Sequence, residues 1–176
     1  MSDSIPNPVS SSDHIRGAQD ATVTIVEYGD FECPNCKQAA PAVAVIMKHF
    51  EGRVRLVFRH FPLEEVHPHA LLAAEAAEAA AAQGRFWEMH DRLFDSQPRL
   101  QLPRLRELAT DLELDLKRFS EELRDHVHVP RVREDVAEGR RLAVRHTPTF
   151  YVDGALCDVS FGVQLLERAV EKALRP

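Results

Sequence analysis

The spacing of two cysteines constrains this chain more than any other feature. Residues 27–37 read EYGDFECPNCK, placing Cys33 and Cys36 around a Pro-Asn dipeptide just after a hydrophobic run. A pair at that spacing clamps a metal, staples a turn or passes electrons, and each use needs different surroundings. Upstream, residues 22–28 (TVTIVEY) are β-branched and bounded by Asp and Gly, which predicts a short strand buried on both faces. Downstream, residues 35–50 carry a helical apolar stripe that stops at Glu51-Gly52, and residues 53–59 (RVRLVFR) read as a second strand. The result is a βαβ unit, hence two parallel strands and a right-handed crossover, with the cysteines at the strand-to-helix junction.

That junction has chemical consequences. With Cys33 as N-cap, Pro34 falls at the first helical position, where its missing N–H costs nothing and its fixed φ suits the helix. Cys36 then occupies the third position. The unpaired N–H groups and positive end of the helix face the Cys33 sulfur and favour thiolate over thiol. Cys33 is therefore the expected attacking group, exposed at the helix start, and Cys36 the more buried resolving thiol. Lys37 adds positive charge nearby or lies in solvent. Glu27, at the end of the strand leading into the junction, is the candidate proton acceptor for Cys36. Trapped among Val26, Tyr28 and helix side chains, its carboxyl should have a raised pKa; the alternative is a strand-end Glu facing water.

Beyond residue 62 the pattern changes. Residues 71–83 (LLAAEAAEAAAAQ) are alanine-rich with a Gly84 stop, and three or four further helical segments follow to about residue 143. Strand signal returns at residues 149–152, Asp153-Gly154 supplies a two-residue hairpin turn, residues 155–158 pair back, and residues 163–174 close with a helix. The organisation expected is a flexible tail over 1–19, one domain assembled from 20–62 and 143–176, and a helical insertion over 63–142.

Of the 176 residues, 44% are hydrophobic, enough for a core without staples, and the net charge of −6 argues against nucleic acid or an anionic membrane as partner. The opening MSDSIPNPVSSSDHIRGAQD lacks the basic start and apolar core of an export signal, and no window reaches the apolar length of a membrane span. The expectation is a cytoplasmic protein, monomeric or weakly dimeric. Three cysteines, Cys33, Cys36 and Cys157, are an odd count that argues against a disulfide framework.

These residues resemble the thioredoxin superfamily, and within it the DsbA-like branch of thiol:disulfide oxidoreductases, from about His14 to the end. In that branch a C-x-x-C motif opens the first long helix, an acidic residue lies six positions before it and a proline eight positions after its first cysteine; here these are Cys33, Cys36, Glu27 and Pro41. The segments RHFPLEEVHPHA and QGRFWEMHDRLF also look like this branch. The resemblance implies an α/β thioredoxin-like fold, a central mixed β-sheet flanked by helices, with an inserted α-helical domain. It implies a cis-proline at Thr147-Pro148 opposite the cysteines, the Thr147 backbone pairing with an extended substrate and its hydroxyl donating to the thiolate. Thr147, Pro34 and Asn35 are the expected substrate-binding residues; Cys33, Cys36, Glu27 and Pro148 the catalytic ones. Partners would be protein thiols or disulfides, with glutathione or a thioredoxin-type electron partner; no cofactor is called for. Within QGRFWEMHDRLF, Phe86, His90, Leu93 and Phe94 recur at helical spacing and read as core. Arg59 and His60 border the site or are paired elsewhere.

Other readings compete. A zinc clamp needs two more ligands, and the pairs His67/His69 and His126/His128 with Cys157 are the available set, but Pro34 and Glu27 have no use in such a clamp. A redox-sensing chaperone-like binding module would use the helical block to hold unfolded chains. A glutathione-using transferase or isomerase of related fold keeps a serine at the attacking position, against the paired cysteines here. Cys157, opposite Phe150 across the hairpin, reads as a small buried hydrophobe or a third redox-sensitive thiol.

Overall fold

A computed structural model describes residues 8–175. Five strands, β1 (His14–Gly17), β2 (Val23–Gly29), β3 (Val54–His60), β4 (Thr149–Val152) and β5 (Ala155–Cys157), form one sheet in the order β1-β3-β2-β4-β5. Only β2 and β3 run parallel, joined by the crossover helix α1 (Pro34–His49); the other neighbours are antiparallel. Between β3 and β4 lie α2 (Ala70–Ala81), α3 (Phe86–Ser96), α4 (Leu102–Asp111), α5 (Leu116–Arg124) and α6 (Val129–Arg141), and α7 (Gln164–Ala173) ends the fold.

The hairpin between β4 and β5 turns on Asp153 and Gly154, both at positive φ (46° and 82°), so Cys157 pairs with Phe150 as the spacing predicts. α1 and α7 cover the sheet face carrying Val23, Ile25, Leu56 and Phe150. The opposite face, with Val26, Tyr28, Val57 and Tyr151, is covered by Val136 of α6. This approach depends on Gly139, where a Cβ would come within 2.7 Å of the Phe61 ring. α6, read from sequence as part of the insertion, thus supplies a layer of the sheet. α2 runs through the helical block with seven buried alanines, Ala70, Ala73, Ala74, Ala76, Ala77, Ala79 and Ala80, whose small side chains let its neighbours pack close.

The tail expected over residues 1–19 needs correction. Its first seven residues lie outside the described part, but His14–Gly17 is an edge strand paired with β3. Asp13 just before it is bonded twice to the Arg59 guanidinium at 2.8 Å, and Trp87 Nε1 donates to the Ile15 carbonyl. Four residues with two basic side chains carry little strand signal; pairing and long-range partners order them.

Candidate active site

α1 begins as its sequence dictates: Cys33 is the N-cap in extended conformation (φ −72°, ψ 121°) with Pro34 next to it. The backbone of the preceding turn is pinned by residues that local pattern does not reveal. The Asp30 carboxylate, fully enclosed, accepts from the backbone N–H of Glu32 and Leu63 and pairs with His67 Nδ1 at 2.7 Å. Glu32 accepts from the His69 backbone and pairs with its ring. The HPHA segment therefore clasps the cysteine turn from one side. From the other, Gln97 Nε2 donates to the carbonyls of Phe31 and Cys33, and Lys37 Nζ donates to the Gln97 carbonyl. Asp30 and Gln97 are site residues that sequence reading missed.

The two sulfurs differ sharply. Cys33 Sγ donates to the Thr147 carbonyl at 3.4 Å. A hydrogen bond from the Cys36 thiol lowers the Cys33 pKa most, burial opposes it, and Thr147 with the backbone N–H groups of Cys36 and Asn35 adds to the lowering; the result is about 5. Burial pushes Cys36 well above the ordinary thiol range, reinforced by its bond to Cys33 and by the charge of Glu27. Cys33 is only 4% exposed, however, where the sequence placed it in the open. The Thr147 loop and the Gln97 turn shelter it, and the exposed members of the motif are Pro34 and Asn35.

The Thr147–Pro148 peptide bond is cis, and both residues are buried, Thr147 in contact with Cys33. While Cys33 is a thiol donating to the Thr147 carbonyl, the enclosed Thr147 hydroxyl has no hydrogen-bond partner among the described residues; donating to the thiolate, it is the group through which Thr147 lowers the Cys33 pKa. Thr147, Pro148 and Asn35 line one side of an open cleft of about 630 Å³, with Val159 and Val163 on the other. Glu27 is buried at 3% exposure, and desolvation lifts its carboxyl to about 8. Its neighbours differ from those expected. Val26 and Tyr28 alternate to the opposite face, and the carboxyl shares a small cleft with Pro41, Val43 and Leu56.

Arg59 and His60 take structural roles. Arg59 binds Asp13 and Tyr28, while the His60 backbone donates to Asp135 and its ring pairs with Glu78. The histidines weighed as metal ligands are each paired to a separate carboxylate: His67 to Asp30, His69 to Glu32, His126 to Glu75, His128 to Glu122. Among the described residues one three-donor group lies close enough to share an ion, His14, His60 and Glu78, but both rings already bond the same Glu78 oxygen at 2.7 Å. Phe86, His90, Leu93 and Phe94 are core, as their spacing predicts. Cys157 is half-buried, and burial together with Asp158 raises its thiol, which favours the inert reading.

A family model described as thioredoxin matches residues 10–172. The chain belongs to the thioredoxin family. BdbD from Bacillus subtilis, in its oxidised form, superposes on this thioredoxin-family chain with a TM-score of 0.87 at 26% identity, covering 96% of each chain. A thioredoxin-like oxidoreductase from Silicibacter pomeroyi gives 0.79 at 27% identity over 93% of each. Among curated relatives, the Na(+)/H(+) antiporter NhaA 1 of Salinispora arenicola is 49% identical over 161 residues, which is 92% of this chain but 24% of that protein. The chain spans about a quarter of the length of the curated relatives it matches. Among the described residues, no helix is long and apolar enough to cross a membrane.

Proposed function

We propose that the chain is a thiol:disulfide oxidoreductase that exchanges disulfides with protein substrates through Cys33 and Cys36. The observation that carries the reading is the opposed tuning of one cysteine pair: Cys33 lowered to about 5, Cys36 held well above the thiol range. At neutral pH the first is a thiolate ready to attack, and the second stays protonated until a mixed disulfide forms. In the reducing direction, Cys33 attacks a substrate disulfide and releases one thiolate. Cys36 then gives its proton to Glu27 in its ionised form and attacks Cys33, forming the internal disulfide and releasing the second substrate sulfur as thiolate. Every step reverses, so the same pair oxidises a dithiol when it starts as a disulfide. The substrate lies extended along Thr147 and Pro148, bordered by Pro34 and Asn35, and a glutathione or thioredoxin-type partner resets the couple.

Stabilising the Cys33 thiolate favours the reduced pair and so makes the disulfide more oxidising. A Cys33 pKa between those of thioredoxin, about 7, and the strongly oxidising DsbA, about 3.5, places the expected reduction potential between about −270 and −120 mV. Equilibration in graded glutathione buffers with alkylation of free thiols measures it. Cys33→Ser should abolish exchange, and Cys36→Ser should trap mixed disulfides; full exchange in Cys33→Ser ends the proposal.

A second reading concerns context, and the names of the longer relatives favour it. The redox pair serves a membrane sodium–proton antiporter, as part of the same polypeptide or as a separate partner, rather than free cytoplasmic thiols. Antiport measured in vesicles, with the chain oxidised, reduced or absent, tests this; rates indifferent to all three conditions reject it.

A further inference from the structure

Of the nine phenylalanines, eight are buried at 7% exposure or less. Phe161 is the exception at 86%, the most exposed large apolar side chain among the described residues. It also stands where local chemistry does not ask for it. The Gly162 N–H donates to the Val159 carbonyl at 2.9 Å, so Ser160 and Phe161 are the central residues of a β-turn, positions that favour Gly, Asn, Asp or Ser. The turn is fixed from both ends: Asp158 Oδ1 accepts from the Ser160 N–H and hydroxyl at 2.9 and 2.6 Å, and Gln164 Nε2 donates to the Phe161 carbonyl at 3.1 Å. A phenyl ring held in water by an ordered turn is a local conflict of the kind that function, not folding, explains.

Ser160 and Gly162, on either side of Phe161, line the cleft beside Pro148, and so does Gln164, which holds the Phe161 carbonyl; the ring therefore stands at the rim. The cleft continues to the cysteines, because Thr147 lines it and also accepts from Cys33 Sγ at 3.4 Å, while Asn35 lies between the two cysteines. Pro148, Val159 and Val163 give its walls apolar contact area. The amides of Asn35, Gln38 and Gln164 both donate and accept, as a peptide backbone requires. Among the described residues no Lys, Arg, Asp or Glu lines it, and the one charged residue of the loop 158–163, Asp158, is negative. Such a surface suits main chain with uncharged side chains and disfavours an acidic segment.

We propose that Phe161 selects the substrate: its ring packs on an apolar side chain of an extended polypeptide close to the cysteine under attack, while the main chain follows the cleft along Thr147 and Pro148. This rests on the exchange reading above and adds the substrate class, polypeptide disulfides with apolar flanks. The Cys33 thiolate attacks one sulfur, the substrate S–S bond breaks, and the second sulfur leaves as thiolate with the electron pair. The segment stays on Cys33 through the new S–S bond, with its flank gripped at the rim. No further oxidant or reductant enters. An aromatic ring suits this task because it offers a large apolar contact with few rotamers to fix. A small disulfide has no flank to reach the rim and gains nothing from it. Phe161 is thus a binding residue that determines specificity, not a catalytic one.

Reduced protein is mixed in single turnover with short peptides that carry an internal disulfide, its cysteines flanked by leucines or by aspartates, then quenched by alkylation and counted by mass spectrometry. An aromatic disulfide that releases a coloured thiolate reports the cysteine pair itself. The unsubstituted protein, Phe161→Ser and Phe161→Tyr are compared. In Phe161→Ser the leucine-peptide concentration giving half the maximal rate should rise about tenfold with the maximal rate held, and the preference over the aspartate peptide should shrink. Phe161→Tyr keeps the ring and should restore both. The aromatic disulfide should react alike in all three. A leucine peptide that reacts equally with the unsubstituted protein and Phe161→Ser overturns the proposal, and so does an equal loss with both peptides and the aromatic disulfide, which means a disturbed cleft. Sedimentation tests the other occupant: a dimer that Phe161→Ser converts to monomer means that a second copy covers the ring, and it overturns the substrate role. Failure of the unsubstituted protein with the aromatic disulfide counts instead against disulfide exchange itself.

Discussion

Glu27 beneath the cysteines and Glu78 at the joint between sheet and helical block are almost equally buried, at 3% and 6% exposure, yet their carboxyls move in opposite directions. Glu27 has burial alone acting on it and rises to about 8. Burial would raise Glu78 as well, but hydrogen bonds from His14 and His60 outweigh it and hold the carboxyl far below the usual range. Burial sets the cost of a charge; donors decide whether the charge exists. The molecule uses one answer in each place. Glu78 is a permanent charge that ties β1, β3 and α2 together, whereas Glu27 is an acid left without a donor beneath the cysteine pair.

The largest expected effect comes from breaking the tie. Glu78→Leu strands two ring N–H groups and should destabilise the protein by about 3–5 kcal/mol, measured by urea unfolding at pH 7. A loss below about 1 kcal/mol would mean that the histidines find other partners and the contrast with Glu27 is illusory. The unsubstituted protein should also lose the Glu78 contribution only in strong acid, as pH falls through a folded pKa well below the carboxylate range.

Glu27 should respond in the opposite sense. The folded carboxyl keeps its proton up to about pH 8, while the unfolded one releases it near 4.5. The folded state therefore binds more protons across that window, and its stability falls as pH rises through it. In the oxidised protein, where Cys33 does not titrate, Glu27→Gln should gain on the order of 2–4 kcal/mol at pH 8.5 and little at pH 4. Urea titrations at the two pH values check this, and equal gains at both would refute the raised pKa. In the reduced protein the Cys33 thiolate works the other way, adding stability that is lost as pH falls through about 5. Alkylation of Cys33 should titrate near that value and keep its midpoint in Glu27→Gln, because the Cys33 shift arises from Cys36, Thr147 and backbone N–H groups. The smallest effect is expected at Cys157→Ala, with exchange kinetics unchanged and stability altered by about 1 kcal/mol or less.

Much of the cysteine-bearing half was legible because its signals are local. Pro34 after Cys33 marks a helix start, Glu27 lies within a β-branched strand, and the Asp153-Gly154 dipeptide fixes the hairpin register that sets Cys157 against Phe150. Other features had no local signature. β1 is four residues with no apolar alternation, made a strand by the open edge of β3. Asp30 and Gln97 are ordinary loop residues until HPHA and the cysteine turn meet them.

By itself the sequence determined a βαβ unit with a cysteine pair at its helix start and an acid one strand-end away, because strand and helix periodicity and capping act over a few residues. The tertiary structure decided what each buried polar group meets. It left Glu27 without a donor, gave Glu78 two histidines, and sheltered Cys33 between Thr147 and Gln97, distant in the chain. Charge states and proton routes depend on those long-range meetings, which packing alone creates.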